Sequence, residues 1–420
     1  MNEAPDLRRA QRQAILLQCF TAVPMLAFSN GFMLTLFNQL GIEGEQALRL
    51  LGLPSLVSAF AIVLFAFWTD RIGVRTMGLI GISASLVAAV LLLIASWFKL
   101  SAFVCPIIIL SGLGSAAFIA CWFPLADPIV QPSGRGRFFG RLRMTWTLAC
   151  IVVGFSIAAL LRRPDPLDSC LIVLAGFVVI HALRIPLFRA IPDLSQRSPQ
   201  GTTLPAALSH AAIQPGFLAF GSYLFLLRLA MGAVPWIFGL LQQQVYHMPA
   251  TDVVLLANLL SVGALVGFWL GGRLVDRHGP KPVFMFAHAG YTVVAAWVLM
   301  RYALPLPTFA IFAIAAIAWG IFDAFSSIAV TTEVLALSPT SNRAFSISLL
   351  NAFGYAGVAL SAWAGSAAIA AGLFRDGWSL FGMSMSGFDG LLIITCFLVT
   401  TFVVTLGLVP SVMKRHHDLP

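Results

Sequence analysis

Two ionisable side chains stand in stretches that otherwise carry no charge. Arg228 lies within the run Gly216 to Val245, and Asp323 within the run Leu306 to Thr332. A guanidinium holds a carboxylate through two parallel hydrogen bonds. A carboxylate in apolar surroundings can serve as counter-charge or carry a proton. Arg228 is therefore the candidate for contact with an anionic solute group, and Asp323 for its counter-charge or a proton carrier. Asn30, Trp236, Asn351 and Tyr355 place further polar groups in apolar stretches. Each suits a solute contact, and each equally suits packing between helices. His181 and His288 read as structural histidines.

A second set of residues occurs twice. Asp70-Arg71-Ile72-Gly73-Val74-Arg75 is echoed by Asp276-Arg277-His278-Gly279-Pro280-Lys281, and Asp276 lies 206 positions after Asp70. The same offset pairs Asp127 with Glu333 and Arg137 with Arg343. It also pairs Arg228 with Ala22 and Asp323 with Ala117, so the first copy is apolar where the second is charged. An Asp-Arg pair at a helix end can bond the orphan backbone groups of a neighbouring helix terminus. Gly73 and Gly279 permit a tight turn. Asp127 and Glu333 are placed to accept hydrogen bonds from the basic residues of their own half. Contacts of this kind can hold one half against the other and gate a path between them.

The elements that must position these groups follow from composition. Of 420 residues, 59% are apolar and only 10% charged. Such a chain has lipid as its solvent. A helix needs about 20 apolar residues to cross a bilayer. The runs predict spans near 15–38, 48–68, 77–97, 101–123, 143–161, 168–190, 214–245, 252–272, 283–302, 306–332, 344–372 and 388–410. Residues 1–190 form one six-helix half, 191–213 a linker and 214–420 a second half. Arg8, Arg9 and Arg12 precede an apolar run too long for a signal peptide. Basic residues crowd one side of the spans, Arg71, Arg137, Arg143, Arg184, Arg277 and Arg343 among them. The other side receives few, including Arg49 and Arg301. That bias puts both termini in the cytoplasm. The net charge of +9 is scattered between spans and forms no basic face, which excludes a nucleic-acid partner. The six cysteines form no CxxC and read as small buried hydrophobes.

The two D-R-x-G loops, the span count and the central linker together resemble the major facilitator superfamily. Its loop motif reads G-x-x-x-D-R-x-G-R-[R/K]; here Ala66 replaces the leading Gly in the first copy, and Gly272 keeps it in the second. The resemblance implies an all-α membrane protein, twelve transmembrane helices in two pseudo-symmetric six-helix bundles. It implies that helices one, four, seven and ten line a central cavity. It further implies a charge relay between the loop motif and an acid such as Asp127. The implied function is secondary active transport of a small organic solute by alternating access. The alternative is a transporter-like receptor or non-transporting subunit. The Gly-Pro motif of drug–proton antiporters is missing, as is the fourth-span arginine of many proton-coupled members, whose position is Ile108. No phosphate-binding loop or catalytic motif occurs, so the expectation is a non-enzyme without cofactor or metal. The expected partners are the solute, the lipid bilayer and a coupling proton or other ion. The protein is expected to act as a monomer in the inner cell membrane.

Overall fold

The computed structural model describes residues 3–28, 31–42, 44–130, 135–194, 203–338, 343–373, 377–380 and 382–408. Helices make up nearly all of it. The first half contains α1 (Glu3–Leu26), α2 (Phe32–Gln39), α3 (Gly44–Ile72), α4 (Val74–Trp97), α5 (Val104–Ala126), α6 (Arg135–Leu160) and α7 (Pro166–Ala190). After α8 (Leu204–Ala212) come α9 (Phe217–Met231), α10 (Val234–Leu240), α11 (Ala250–His278), α12 (Pro280–Leu299), α13 (Thr308–Leu337), α14 (Arg343–Ala370) and α15 (Gly387–Leu408). A small antiparallel hairpin, β1 (Trp378–Leu380) and β2 (Met383–Met385), precedes α15.

Eleven helical stretches are long and apolar enough to cross a membrane. The remaining expected span is the first, and it is divided between α1 and α2. The chain thus has twelve spans in two six-helix bundles. Its outer surface is apolar: Phe60 is 73% exposed and Phe397 71%. Patches of that kind are at home in lipid, not water. Within the stretch 191–213, Thr203 caps α8. Arg184 and Arg301, near the ends of the predicted spans 168–190 and 283–302, are buried at 3% and 4% exposure.

The repeat is visible in the backbone. Gly73 has φ 93° and ψ 147°, and Gly279 has φ 79° and ψ 168°. That region is open almost only to glycine. Both D-R-x-G copies therefore make the same sharp step from one helix into the next. The face carrying these loops is called the motif face below, and the opposite one the far face.

Lipid gives helices no hydrophobic reason to associate, so close approach through small residues does the work. In α13, Gly320 lies against the Leu260 carbonyl of α11, and Gly263 of α11 lies against the Ile317 carbonyl. In α4 and α5, a Cβ on Gly81 would stand 2.7 Å from the Gly114 carbonyl oxygen. The two halves meet along α3 with α14 and α6 with α11. Gly52 fits against Ala362 at the first interface, and Gly154 against Asn258 at the second. Asn258 donates from Nδ2 to the Ile151 carbonyl at 3.1 Å. Gly52 and Asn258 are related by the repeat offset, so the junctions are equivalent places in the two halves. Toward the far face, Arg49 Nε donates to Ser366 Oγ at 2.7 Å, and Ser366 donates to the Glu45 carbonyl at 2.9 Å.

A buried ion pair pins the far end of the second half. Arg301 meets Asp389 through two bonds, Nη1–Oδ1 at 2.6 Å and Nη2–Oδ2 at 2.8 Å. Their side chains are 1% and 0% exposed. Arg301 Nε also donates to the Tyr246 hydroxyl at 2.7 Å, and Asp389 Oδ2 accepts from the Ser386 amide at 2.8 Å. The ends of α12 and α15 and the segment after α10 are thus tied together.

Replacing Gly320 with Val should abolish or severely reduce the folded, monodisperse fraction on size-exclusion chromatography. Overpacking costs about 1–3 kcal/mol where neighbours can yield, and here the neighbour is backbone. Gly272 has nothing within 4 Å of its would-be Cβ, so Gly272→Ala should be neutral or raise the thermal midpoint.

Candidate functional site

Two spans are interrupted at matching places in the repeat. In the first, helix ends at Leu26 and resumes at Phe32, with Gly31 at φ 77° as the cap of the second piece. Pro24 lies in the last turn before the break. In the seventh, α9 ends at Met231, and α10 starts at Val234 with Pro235 in its first turn. Leu26 and Ala27 map onto Gly232 and Ala233 by the offset of 206. Proline lacks an N–H and crowds the carbonyl one turn back, which accounts for a break at each site.

A broken helix leaves backbone groups that lipid cannot satisfy. Here side chains reach them. Trp236 Nε1 donates to the Phe28 carbonyl at 2.7 Å. The Ser361 hydroxyl accepts from the Ala233 amide at 3.0 Å, and Thr395 donates to the Ala230 carbonyl at 2.9 Å. The Trp236 bond links the first half to the second. Beside it, Gly239 makes room for Leu34. The half-helices α2 and α10 thus lie together toward the far face.

Beneath them is a cavity of about 180 Å³ near midspan. Its wall is mostly apolar, with Met25, Phe28, Leu92, Ile107 and Phe177 among the lining residues. Ser55, Ser58, Ser111 and Ser115 add hydroxyls, and Trp236 and Tyr355 close it from the second half. Leu174, Phe177, His181 and Arg184 line it from one stripe of α7, their spacing being that of a single helix face. Arg184 Nη1 is 2.9 Å from His181 Nδ1, and the guanidinium lies 4.7 Å from the centre of the Phe118 ring. Arg184 Nε is buried without a hydrogen-bond partner.

The expected solute residues divide. Trp236 and Tyr355 line the cavity; Arg228 and Asp323 do not. Instead Arg228 Nη1 and Asp323 Oδ1 stand 3.5 Å apart, with side chains 24% and 38% exposed. The Tyr291 hydroxyl donates to Asp323 Oδ1 at 3.2 Å. Asn351 is half-buried on α14. Asn30 lies outside the described residues. His288 is buried, with Nδ1 2.6 Å from the Phe284 carbonyl and Nε2 2.9 Å from the Tyr223 hydroxyl. His181 lines the cavity.

The expected gating residues also divide. Arg75 Nη2 donates to the Ile191 carbonyl at 2.8 Å, which ties the first loop to the end of α7 in its own half. Arg71 is exposed and lies 3.6 Å from the Phe67 ring centre. Asp276 and Arg277 are exposed, Glu333 is half-buried, and Lys281 is buried at 5% exposure. The side chains of Asp70, Asp127, Arg137 and Arg343 lie outside the described residues. A bond between halves near the motif face comes from Arg143, which donates from Nη2 to Thr331 Oγ1 at 2.7 Å. In the sequence Arg143 reads only as one of the charges that set topology.

Two bundles joined by small-residue interfaces, with a midspan cavity under paired broken helices, form the architecture of a secondary transporter. Residues 15–362 match the Major Facilitator Superfamily, and the chain belongs to that family. Solved structures agree in fold. A xylose transporter from E. coli, XylE, superposes with TM-score 0.73 at 13% identity, covering 99% of this chain and 100% of its own. The nucleoside transporter NupG gives 0.71 at 12% identity, over 95% and 99%. A bacterial homologue of the iron transporter ferroportin gives 0.67 at 16% identity, over 94% and 98%. No curated protein matches significantly.

The Trp236 bond generates a direct expectation. Trp236→Phe leaves the Phe28 carbonyl unpaired, at a cost of about 1–3 kcal/mol. Opening toward the far face should become about 5- to 150-fold more frequent. Alkylation of a cysteine placed at Met33, in a background stripped of native cysteines, should accelerate accordingly from that face.

Proposed function

We propose that this protein is a secondary transporter that carries a small organic solute through a cell membrane by alternating access. The observation that carries the reading is the midspan cavity bounded by two discontinuous helices, one from each half. A site in that position is reached from either face by rocking the halves about it. The junctions of α3 with α14 and α6 with α11 serve as the rocking surfaces. Trp236, Leu34 and Gly239 form the far-face closure. The Arg143–Thr331 bond must break when the motif face opens.

The Arg228–Asp323 pair belongs to the path in the second half. At 3.5 Å and partly exposed, it is loose enough to exchange partners during the cycle, with Asp323 as counter-charge or proton carrier. The D-R-x-G loops, with Asp127 and Glu333, set the packing of the motif face as the halves rock. The arginine bias assigns that face and both termini to the cytoplasm. An ion or solute gradient supplies the energy.

Spin-label pairs test the mechanism without knowledge of the solute. One pair, at Asn38 and His247, reports the far face; another, at Thr76 and His278, reports the motif face. All four positions are exposed. Pulsed dipolar spectroscopy in liposomes should find two distance populations for each pair. Their weights should move in opposite directions when Trp236→Phe is introduced. A single fixed distance on both faces would rule out alternating access.

A further inference from the structure

The second half pairs its intramembrane arginines, Arg228 with Asp323 and Arg301 with Asp389. The first half does not pair Arg184. Among the described residues no carboxylate lies within ion-pair distance of it. Its partners are a histidine nitrogen at 2.9 Å and the face of Phe118. The hydrogen bond fixes the His181 tautomer: Nδ1 accepts from Arg184, so the ring is neutral and adds no charge. An aromatic face attracts a cation but does not neutralise it. A buried charge without its opposite costs several kcal/mol, and Arg184 Nε has no partner at all. The side chain borders a cavity that is otherwise mostly apolar.

We propose that Arg184 is the anion-recognition residue of this cavity, and that the solute is a monocarboxylate with an apolar body. The assignment rests on the transport reading of the same cavity. Arg184 is the one Arg or Lys among the lining residues. One fixed positive charge balances one negative charge; a phosphate dianion would leave an uncompensated charge in the same apolar space. A metal cation or organic amine would meet repulsion from Arg184 with no acid to offset it. A guanidinium favours a carboxylate through two parallel hydrogen bonds. The remainder of the solute would then lie among Phe118, Phe177, Leu92 and Ile107, with serine hydroxyls for any further polar group.

The test is binding by the purified full-length protein, followed by calorimetry. The probes are a graded series of monocarboxylates, butanoate to octanoate and benzoate to naphthoate, each beside its neutral primary amide. The acid should bind at least about tenfold more tightly than its amide. Arg184→Gln should remove that preference while leaving the amide affinity unchanged. Arg184→Lys keeps the charge but loses the two-bond geometry, and should bind the acids with intermediate affinity; it also serves should Arg184→Gln fail to fold. Equal affinity for acid and amide, acid binding that survives both Arg184 variants, or no binding by the series would overturn the proposal. The spin-label distances are read without any ligand, so that result stands or falls separately from the transport mechanism.

Discussion

The constraint on which the rest depends is that hydrocarbon cannot solvate a peptide group. Each N–H and C=O in the membrane must find its partner within the protein. Continuous helices meet the demand automatically, and most of this chain takes that route. The first and seventh spans do not. Each break exposes backbone that neighbouring spans must cover, and Trp236, Ser361 and Thr395 supply the missing bonds. The breaks therefore fix which helices can be neighbours. They also leave a short half-helix on the far side of each span, free of the i→i−4 ladder that would otherwise stiffen it against its lower half. A cavity roofed by such pieces can open at one end without unfolding a whole span.

Charge divides the molecule into parts that hold and parts that can change. Arg301 and Asp389 are joined by two short bonds at almost no exposure, with Tyr246 and Ser386 filling the remaining capacity. Breaking such a pair by removing one partner typically costs about 3–5 kcal/mol, too much for a step in a repeated cycle. Arg228 and Asp323 are 3.5 Å apart and partly open, so separating them gives back solvation for most of what is lost. Arg184 is a third case, buried with its charge unbalanced. Distance and exposure thus rank the three arginines from anchor to exchangeable pair to a buried charge without a carboxylate beside it.

Much of the architecture was legible in the residues. Apolar runs located twelve spans, because the length needed to cross lipid is a hard physical requirement. The two D-R-x-G copies disclosed the repeat, since a glycine-only backbone step leaves a recoverable mark at Gly73 and Gly279. The helix breaks were harder to see. Pro24 and Pro235 were in view, but proline is tolerated in continuous membrane helices, so hydropathy alone does not distinguish a kink from an interruption. The inward turn of Arg143, Arg184 and Arg301 was not legible for another reason. Each lies within two or three turns of a span end, where a long side chain can as well reach the interface as turn inward. Only the stripe of Leu174, Phe177, His181 and Arg184 on one face of α7 hinted that Arg184 turns in. Arg228 and Asp323, deep in uncharged runs, carried no such ambiguity, and they do meet.

The repeat makes two similar halves, yet what each contributes differs. At the junctions the correspondence is close: Gly52 and Asn258 occupy matching places, each against a small residue of the other half. A rocking motion needs such balance, because unequal friction at two interfaces would twist the halves rather than tilt them. Chemistry needs the opposite. Were Arg184 matched by a second arginine across the cavity, two like charges would share one apolar space and each would weaken the other. Its counterpart by the offset is Gly390, and the second half turns Trp236 and Tyr355 toward the same space. One half can thus carry the charge while the other supplies an uncharged wall that tolerates motion. Symmetry in the scaffold and asymmetry in the lining then meet two different needs, balanced motion at the junctions and a single positive charge in the cavity wall.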